Sequence, residues 1–169
     1  NGLEALFEYE KRKCPGILNG IDIKVWDPET DTYLENHFNS KTRSEGKARN
    51  KRLLCERFSM DEKKPLIAFI GPRGGEKGAD LLPQAIGDSC YYIGRKMNFL
   101  ILGSGSETIQ QNLEKARALT EGDCSIYIGY DETLSHLIYA GADFILMPSR
   151  VEPCGLNQMY AMRYGTVPI

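Results

Sequence analysis

From about residue 65 onward, short apolar runs alternate with longer stretches in which apolar residues recur every three or four positions. That rhythm predicts βα units around a parallel sheet. The runs are Leu66-Ile67-Ala68-Phe69-Ile70, Phe99-Leu100-Ile101-Leu102, Ser125-Ile126-Tyr127-Ile128 and Phe144-Ile145-Leu146-Met147. Because they do not alternate with polar residues, all of them are expected as strands covered on both faces. The intervening stretches 77–96, 106–120 and 131–142 are expected as covering helices, as the spacing of Ile109, Leu113, Ala116 and Leu119 illustrates. Pro83 fits the first of these only if that helix starts a residue or two before it, since a first-turn proline gives up no hydrogen bond. A helix from Gly155 to Tyr164 leads into a further strand at Thr166-Val167-Pro168-Ile169, and a strand with nothing beyond it predicts an incomplete domain.

Upstream, Gly2 to Arg12 reads as a helix and Asn19-Gly20 as a turn. Residues 23–40 read as an irregular connector anchored by aromatics such as Trp26 and Tyr33, and 41–58 return to helical character.

Composition narrows the class. A chain of 169 residues with 41% hydrophobic and 26% charged residues is one globular domain's worth, and no apolar run approaches a membrane span. Five widely spaced cysteines without a metal-binding pattern predict a reducing, cytoplasmic compartment. The net charge of −2 gives no general attraction for nucleic acid. A basic run does occur at Lys41, Arg43, Lys47, Arg49, Lys51 and Arg52, but no aromatics interleave with it, and it reads as a helix whose cations face water.

Parallel α/β sheets bind ligands beyond the carboxyl ends of their strands, so the loops that follow the strands are the candidate sites. Gly71-Pro-Arg-Gly-Gly-Glu-Lys77 combines cations with a glycine-rich turn that either binds an anion or is merely solvated; it lacks the P-loop spacing. Gly103-Ser-Gly resembles the start of a dinucleotide fingerprint without its third glycine, and two glycines also serve a tight turn. Tyr130 stands at a strand end, where it either stacks on a base or packs. His136 has no serine or cysteine partner and reads as a helix residue with satisfied bonds rather than a catalyst.

The loop Pro148 to Asn157 leaves a strand and enters a helix, so the N–H groups of Gly155, Leu156 and Asn157 suit a diphosphate. Glu152, just ahead, either meets sugar hydroxyls and a developing oxocarbenium-like charge or pairs with Arg150. Cys154 reads as a packed thiol, with no base near it in sequence.

The segment Pro148-Ser-Arg-Val-Glu-Pro-Cys-Gly-Leu-Asn-Gln-Met-Tyr-Ala-Met-Arg-Tyr-Gly-Thr-Val-Pro168 resembles the signature block of starch and glycogen synthases. These enzymes transfer glucose from ADP-glucose or UDP-glucose to a glucan end. Asn19-Gly-Ile-Asp22, Trp26-Asp-Pro-Glu-Thr-Asp31, Lys77-Gly-Ala-Asp80, Tyr127-Ile-Gly-Tyr130, Ser135-His136 and Ala140-Gly-Ala-Asp143 extend the resemblance along nearly the whole chain. It implies the C-terminal, Rossmann-like half of a GT-B retaining glycosyltransferase. Residues 1–20 would be the end of an N-terminal domain and the crossing between domains, and 21–169 the nucleotide-sugar-binding domain.

By position, the resemblance makes Lys77 and Glu152 catalytic. It gives nucleotide-sugar contacts to Arg73, Lys77, Tyr130, Glu152, Cys154, Gly155, Leu156 and Asn157. It implies no metal, no cofactor beyond the donor substrate, no membrane and no nucleic acid. The α-1,4-glucan acceptor would bind through the N-terminal domain, and the compartment would be a plastid in a plant. Without that domain the chain is expected to be inactive.

One departure matters: Pro72 stands where the family pattern has an arginine five residues before the lysine, with Arg73 next to it. Either Arg73 reaches the phosphate through a rearranged loop or that cation is lost, and the departure leaves open a non-catalytic nucleotide- or glucan-binding module on the same fold. The acidic residue that many retaining enzymes carry eight positions after the first is Tyr160 here, as in starch and glycogen synthases generally. A nicotinamide-dependent oxidoreductase would rest on Gly103-Ser-Gly, and the missing third glycine argues against it.

Overall fold

The computed structural model describes residues 2–169. Its centre is a five-stranded, all-parallel sheet in the order β3-β2-β1-β4-β5. The strands are β1 (Leu66–Ile70), β2 (Asn98–Gly103), β3 (Cys124–Ile128), β4 (Phe144–Ile145) and β5 (Val167–Pro168). Helices α1 (Glu4–Tyr9), α2 (Arg43–Phe58), α3 (Leu82–Asp88), α4 (Glu107–Ala118), α5 (Glu132–Gly141) and α6 (Leu156–Arg163) accompany it. The fold is therefore the α/β, Rossmann-like one that the alternation predicts.

Successive side chains of a strand point to opposite faces, and the central strands supply two cores in this way. Leu66 and Ala68 of β1, with Leu100 and Leu102 of β2, face a core completed by Leu54 of α2 and by Leu134 and Ile138 of α5. Ile67 and Phe69, with Phe99 and Ile101, face the other core, completed by Leu82 and Ile86 of α3 and Leu113 of α4. Full burial on both sides explains why these strands are apolar throughout. β3 departs from the expectation, because it is an edge strand and most of its residues are only half-buried. The pairing of β4 covers only Phe144 and Ile145, so Leu146 and Met147 already belong to the following loop.

The stretch expected as one helix over 77–96 is broken into two 3-10 turns, α3 and a π turn at Ser89–Ile93. Pro83 lies in the first turn of α3, as its missing N–H requires. α1 buries none of its residues.

The basic run also needs correction, since not all of its cations face water. The Lys47 ammonium turns inward and donates to Thr166 Oγ1 at 2.6 Å and to the Ala140 carbonyl at 3.2 Å, near the C-terminal end of α5, where a helix dipole favours a cation. Burial lowers its pKa to about 8. Lys51 pairs with Asp143 at 2.7 Å, while Arg49 and Arg52 pair with Glu45 and Glu62 at the surface. Lys47 and Lys51 thus tie α2 to the α5–β4 junction.

The connector over 23–40 carries no regular element and is held by its aromatics, as expected. Trp26 lies between the rings of His136 at 3.9 Å and Tyr160 at 3.8 Å, nearly parallel to both. Beneath it, the buried carboxylate of Asp31 accepts from His136 Nδ1 at 2.7 Å and from the Tyr164 hydroxyl. His136 is fully buried in this cluster, stacked on Trp26.

α2 and α5 touch through Gly141, where an added Cβ would stand 2.8 Å from Leu54 Cδ1 and 2.9 Å from the backbone of Asn50 and Lys51. Backbone cannot yield as a flexible side-chain tip can, so Gly141→Ala is expected to destabilise the fold by about 1–3 kcal/mol through overpacking. Denaturant unfolding of the variant checks this, and an unchanged midpoint would mean that the helices separate freely.

Candidate functional site

β2 and β3 extend the sheet to one side of β1, and β4 and β5 extend it to the other. The loops after β1 and β4 therefore leave neighbouring strands on either side of a topological switch point, where a crevice opens. A cleft of about 740 Å³ lies there, beyond the carboxyl ends of the strands, with walls that include Pro72, Lys77, Ser104, Tyr130, Glu152 and Tyr160.

The two loops interlock. Gly78 has a φ of 68°, and a Cβ there would lie 2.1 Å from the Pro148 carbonyl oxygen, so only glycine permits the contact. Arg150 bridges the loops as well, with both terminal nitrogens on the Asp80 carboxylate at 2.7 and 2.8 Å and one of them also on the Gly75 carbonyl. This fork holds the Asp80 carboxyl below its usual range. The alternative partnership of Arg150 with Glu152 is thereby excluded.

Glu152 instead accepts from Lys77 Nζ and from Ser149 Oγ, each at 2.9 Å. The Lys77 ammonium is the main cause that holds its carboxyl below the usual range; burial opposes the shift, and Ser149 and the Gly155 N–H add to it. α6 starts at Leu156 with Gly155 as its N-cap, directly beside this pair. Asn157 lines the cleft too, and its side-chain amide donates to the Ile70 carbonyl at 2.8 Å, which pins the start of α6 to the end of β1. Cys154 lines the wall with its sulfur 3.8 Å from the Asn19 carbonyl oxygen. Tyr130 is 82% exposed at the rim, so packing does not account for its position.

Lys77, Tyr130, Glu152, Cys154, Gly155, Leu156 and Asn157 therefore surround one cleft. Arg73 does not join them. Its backbone N–H bonds to the Ser104 carbonyl at 2.7 Å, and its buried guanidinium runs to Gln110 Oε1 at 3.3 Å, with Nε and Nη1 left without partners. Pro72 lines the wall of the cleft, whereas Arg73, one residue on, is buried and is not part of that wall. The expectation that Arg73 faces the ligand is corrected accordingly.

Sequence reasoning missed Trp26, Ser149 and Glu132 as parts of this region. Ser149 stands three residues before Glu152, a short spacing that gave a signal. Trp26 comes from the connector and is brought to the cleft only by its stacking on α5 and α6.

Residues 51–169 match the glycosyl transferases group 1 family. The chain belongs to that family. It is 53% identical over its whole length to a glycogen synthase of Flavobacterium johnsoniae, covering 36% of that protein. It is 42% identical over its whole length to a glycogen synthase of Marinobacter nauticus, covering 34% of it. The catalytic domain of starch synthase IV from Arabidopsis thaliana, solved with ADP and acarbose, superposes with a TM-score of 0.84 at 36% identity, over 99% of this chain and 34% of that one. The chain thus spans about a third of the length of these relatives. A glycosyltransferase of lipopolysaccharide biosynthesis shares the fold alone, with a TM-score of 0.64 at 16% identity, over 90% of this chain and 36% of that one. Membership of a glycosyltransferase family removes the oxidoreductase reading.

The Lys77–Glu152 pair sets a pH dependence. Because the folded carboxyl is held below its usual value, the pair's contribution to stability is complete above the unfolded carboxylate pKa of about 4.3 and is lost as pH falls through the lower folded value. The stability difference between the protein and its Lys77→Ala variant is therefore expected to be constant from pH 6 to 8 and to close on acidification, as followed by denaturant unfolding at several pH values.

Proposed function

We propose that the chain is the nucleotide-sugar-binding half of a retaining, GT-B type glucosyltransferase that extends α-1,4-glucan from ADP-glucose or UDP-glucose. The observation that carries this reading is the meeting of Lys77, Glu152 and the start of α6 at one end of a cleft whose rim bears an exposed Tyr130. Residues 1–20 would then close the preceding domain and cross to this one, and the glucan would bind across the cleft. The relatives named glycogen synthase, and the starch synthase solved with ADP and acarbose, support the same reading.

The diphosphate would take its counter-charge from Lys77 and from the N–H groups at Gly155 and Leu156, the first of which bonds to Glu152 before the ligand arrives. Preorganised donors of this kind stabilise charge without moving at the moment of reaction. Its arrival displaces or shares the contact between Lys77 and Glu152. The carboxylate is then left to face the transferred glucose, where positive charge develops at the anomeric carbon. Tyr130 would stack on the base.

One observation favours a second reading, a non-catalytic binding module: the loop's guanidinium is buried at Arg73 while Pro72 faces the cleft. Glucosyl transfer by the full-length protein decides between the two, and its absence alongside intact nucleotide binding would favour the module.

Tyr130→Ala is expected to weaken ADP or UDP binding by about 1–3 kcal/mol. Calorimetry measures this, and an unchanged affinity would remove Tyr130 from the base. In the full-length protein, Glu152→Gln is expected to lower kcat far more than it weakens donor binding, since charge at the sugar appears only in the transition state. Lys77→Ala is expected to weaken donor affinity about ten- to hundredfold as well, since the diphosphate is charged in the ground state. Dissociation constants and single-turnover rates distinguish these patterns, and one pattern shared by both variants would mean that the roles are misassigned.

A further inference from the structure

Among the charged groups that line the cleft, Lys77 and Glu152 neutralise one another. Glu132 is different. It lies in the same wall, and among the described residues no lysine or arginine pairs with it. Its nearest basic neighbour is Nε2 of the buried His136, 3.6 Å from Oε1 and without a hydrogen bond. The Glu132 side chain is 35% exposed, and its negative charge contributes to raising the phenol pKa of both Tyr139 and Tyr160, after burial. Both of those tyrosines line the cleft as well.

Position suits a carboxylate that has no cation partner. Glu132 is the first residue of α5, whose N-cap Asp131 accepts from the Leu134 N–H at 2.8 Å. A helix N-terminus favours negative charge. What remains is an acceptor-only group in a cleft otherwise suited to an anion. A second negative charge disfavours a nucleoside diphosphate unless the bound molecule presents a donor to it, and a carboxylate accepts hydrogen bonds but gives none.

The donor must come from the part of the ligand between base and diphosphate. Glu132 follows Tyr130, the residue assigned to the base, by two positions at the start of α5, whereas the phosphate end would lie at Lys77 and α6. In a nucleoside diphosphate, the neutral group between those ends with two adjacent hydroxyl donors is the ribose. We propose that Glu132 binds the ribose 2′- and 3′-hydroxyls of the nucleotide and thereby selects ribonucleotides over deoxyribonucleotides. The proposal rests on the nucleotide-binding reading above. α6 offers no carboxylate for this task, since none of its residues from Leu156 to Arg163 is acidic. Glu132 is a specificity residue and takes no part in the transfer of the sugar.

The test compares ADP, 2′-deoxy-ADP and inosine diphosphate by calorimetry with the full-length protein and with its Glu132→Gln variant. Removal of a hydroxyl that bonds to a charged group should weaken binding to the native protein about tenfold or more, and the variant should bind ADP and 2′-deoxy-ADP within about twofold of each other. Equal affinity of the native protein for ADP and 2′-deoxy-ADP would overturn the proposal without reference to any variant. So would a loss confined to inosine diphosphate, which would place the carboxylate on the exocyclic amine of the base. A protein that binds none of the three would instead overturn the nucleotide-binding reading.

Discussion

The pairing of β1 with β4 is the constraint on which the rest of this structure depends. Ile67 stands beside Phe144 and Ala68 beside Ile145, although more than seventy positions of chain and two other strands separate the two in sequence. That pairing reverses the direction in which the sheet grows and brings the glycine-rich loop after β1 against the Glu152 loop after β4. Gly78 then meets the Pro148 carbonyl, Arg150 bridges to Asp80, and Lys77 reaches Glu152. Asn157 closes the arrangement by tying α6 to the last carbonyl of β1.

The electrostatics of the cleft follow from that geometry. Its cation is already engaged with the Glu152 carboxylate, so donor binding as proposed would exchange one charge partner for another rather than fill an empty positive site. A charge pair held in a partly dry cleft is stronger than one in water, and breaking it without replacement is costly. Under the proposed function, a diphosphate would supply the replacement for Lys77 and leave Glu152 to the sugar. Arg73 illustrates the reverse case, a buried guanidinium with two nitrogens unpartnered one residue away from a useful position.

The connector ahead of α2 has a structural task that its irregular backbone conceals. Trp26 fills the space between α5 and α6, and Asp31 joins His136 of the first to Tyr164 just beyond the second. The helix that carries Glu132 and the helix that starts at Leu156 are thus fixed relative to each other by a segment outside the matched family region. The bonds that Asp31 accepts from His136 Nδ1 and Tyr164 make the arrangement specific, since a lost partner would leave a buried carboxylate without solvation.

The sequence by itself determined the α/β class, because burial of the central strands on both faces forces unbroken apolar runs in β1 and β2. It also pointed to the loops that line the cleft, because parallel sheets expose their strand ends, and Lys77, Tyr130, Glu152 and the start of α6 do meet there. Strand order was not legible, since apolar runs look alike whichever neighbour they pair with, and neither was the exposure of β3, which is a consequence of its edge position. Only the tertiary structure decided that Lys47 and Lys51 turn inward, that Glu152 pairs with Lys77 rather than Arg150, and that Arg73 points away from the cleft. Each of these outcomes depends on which groups from distant parts of the chain meet across a dry space, and local spacing carries no record of that.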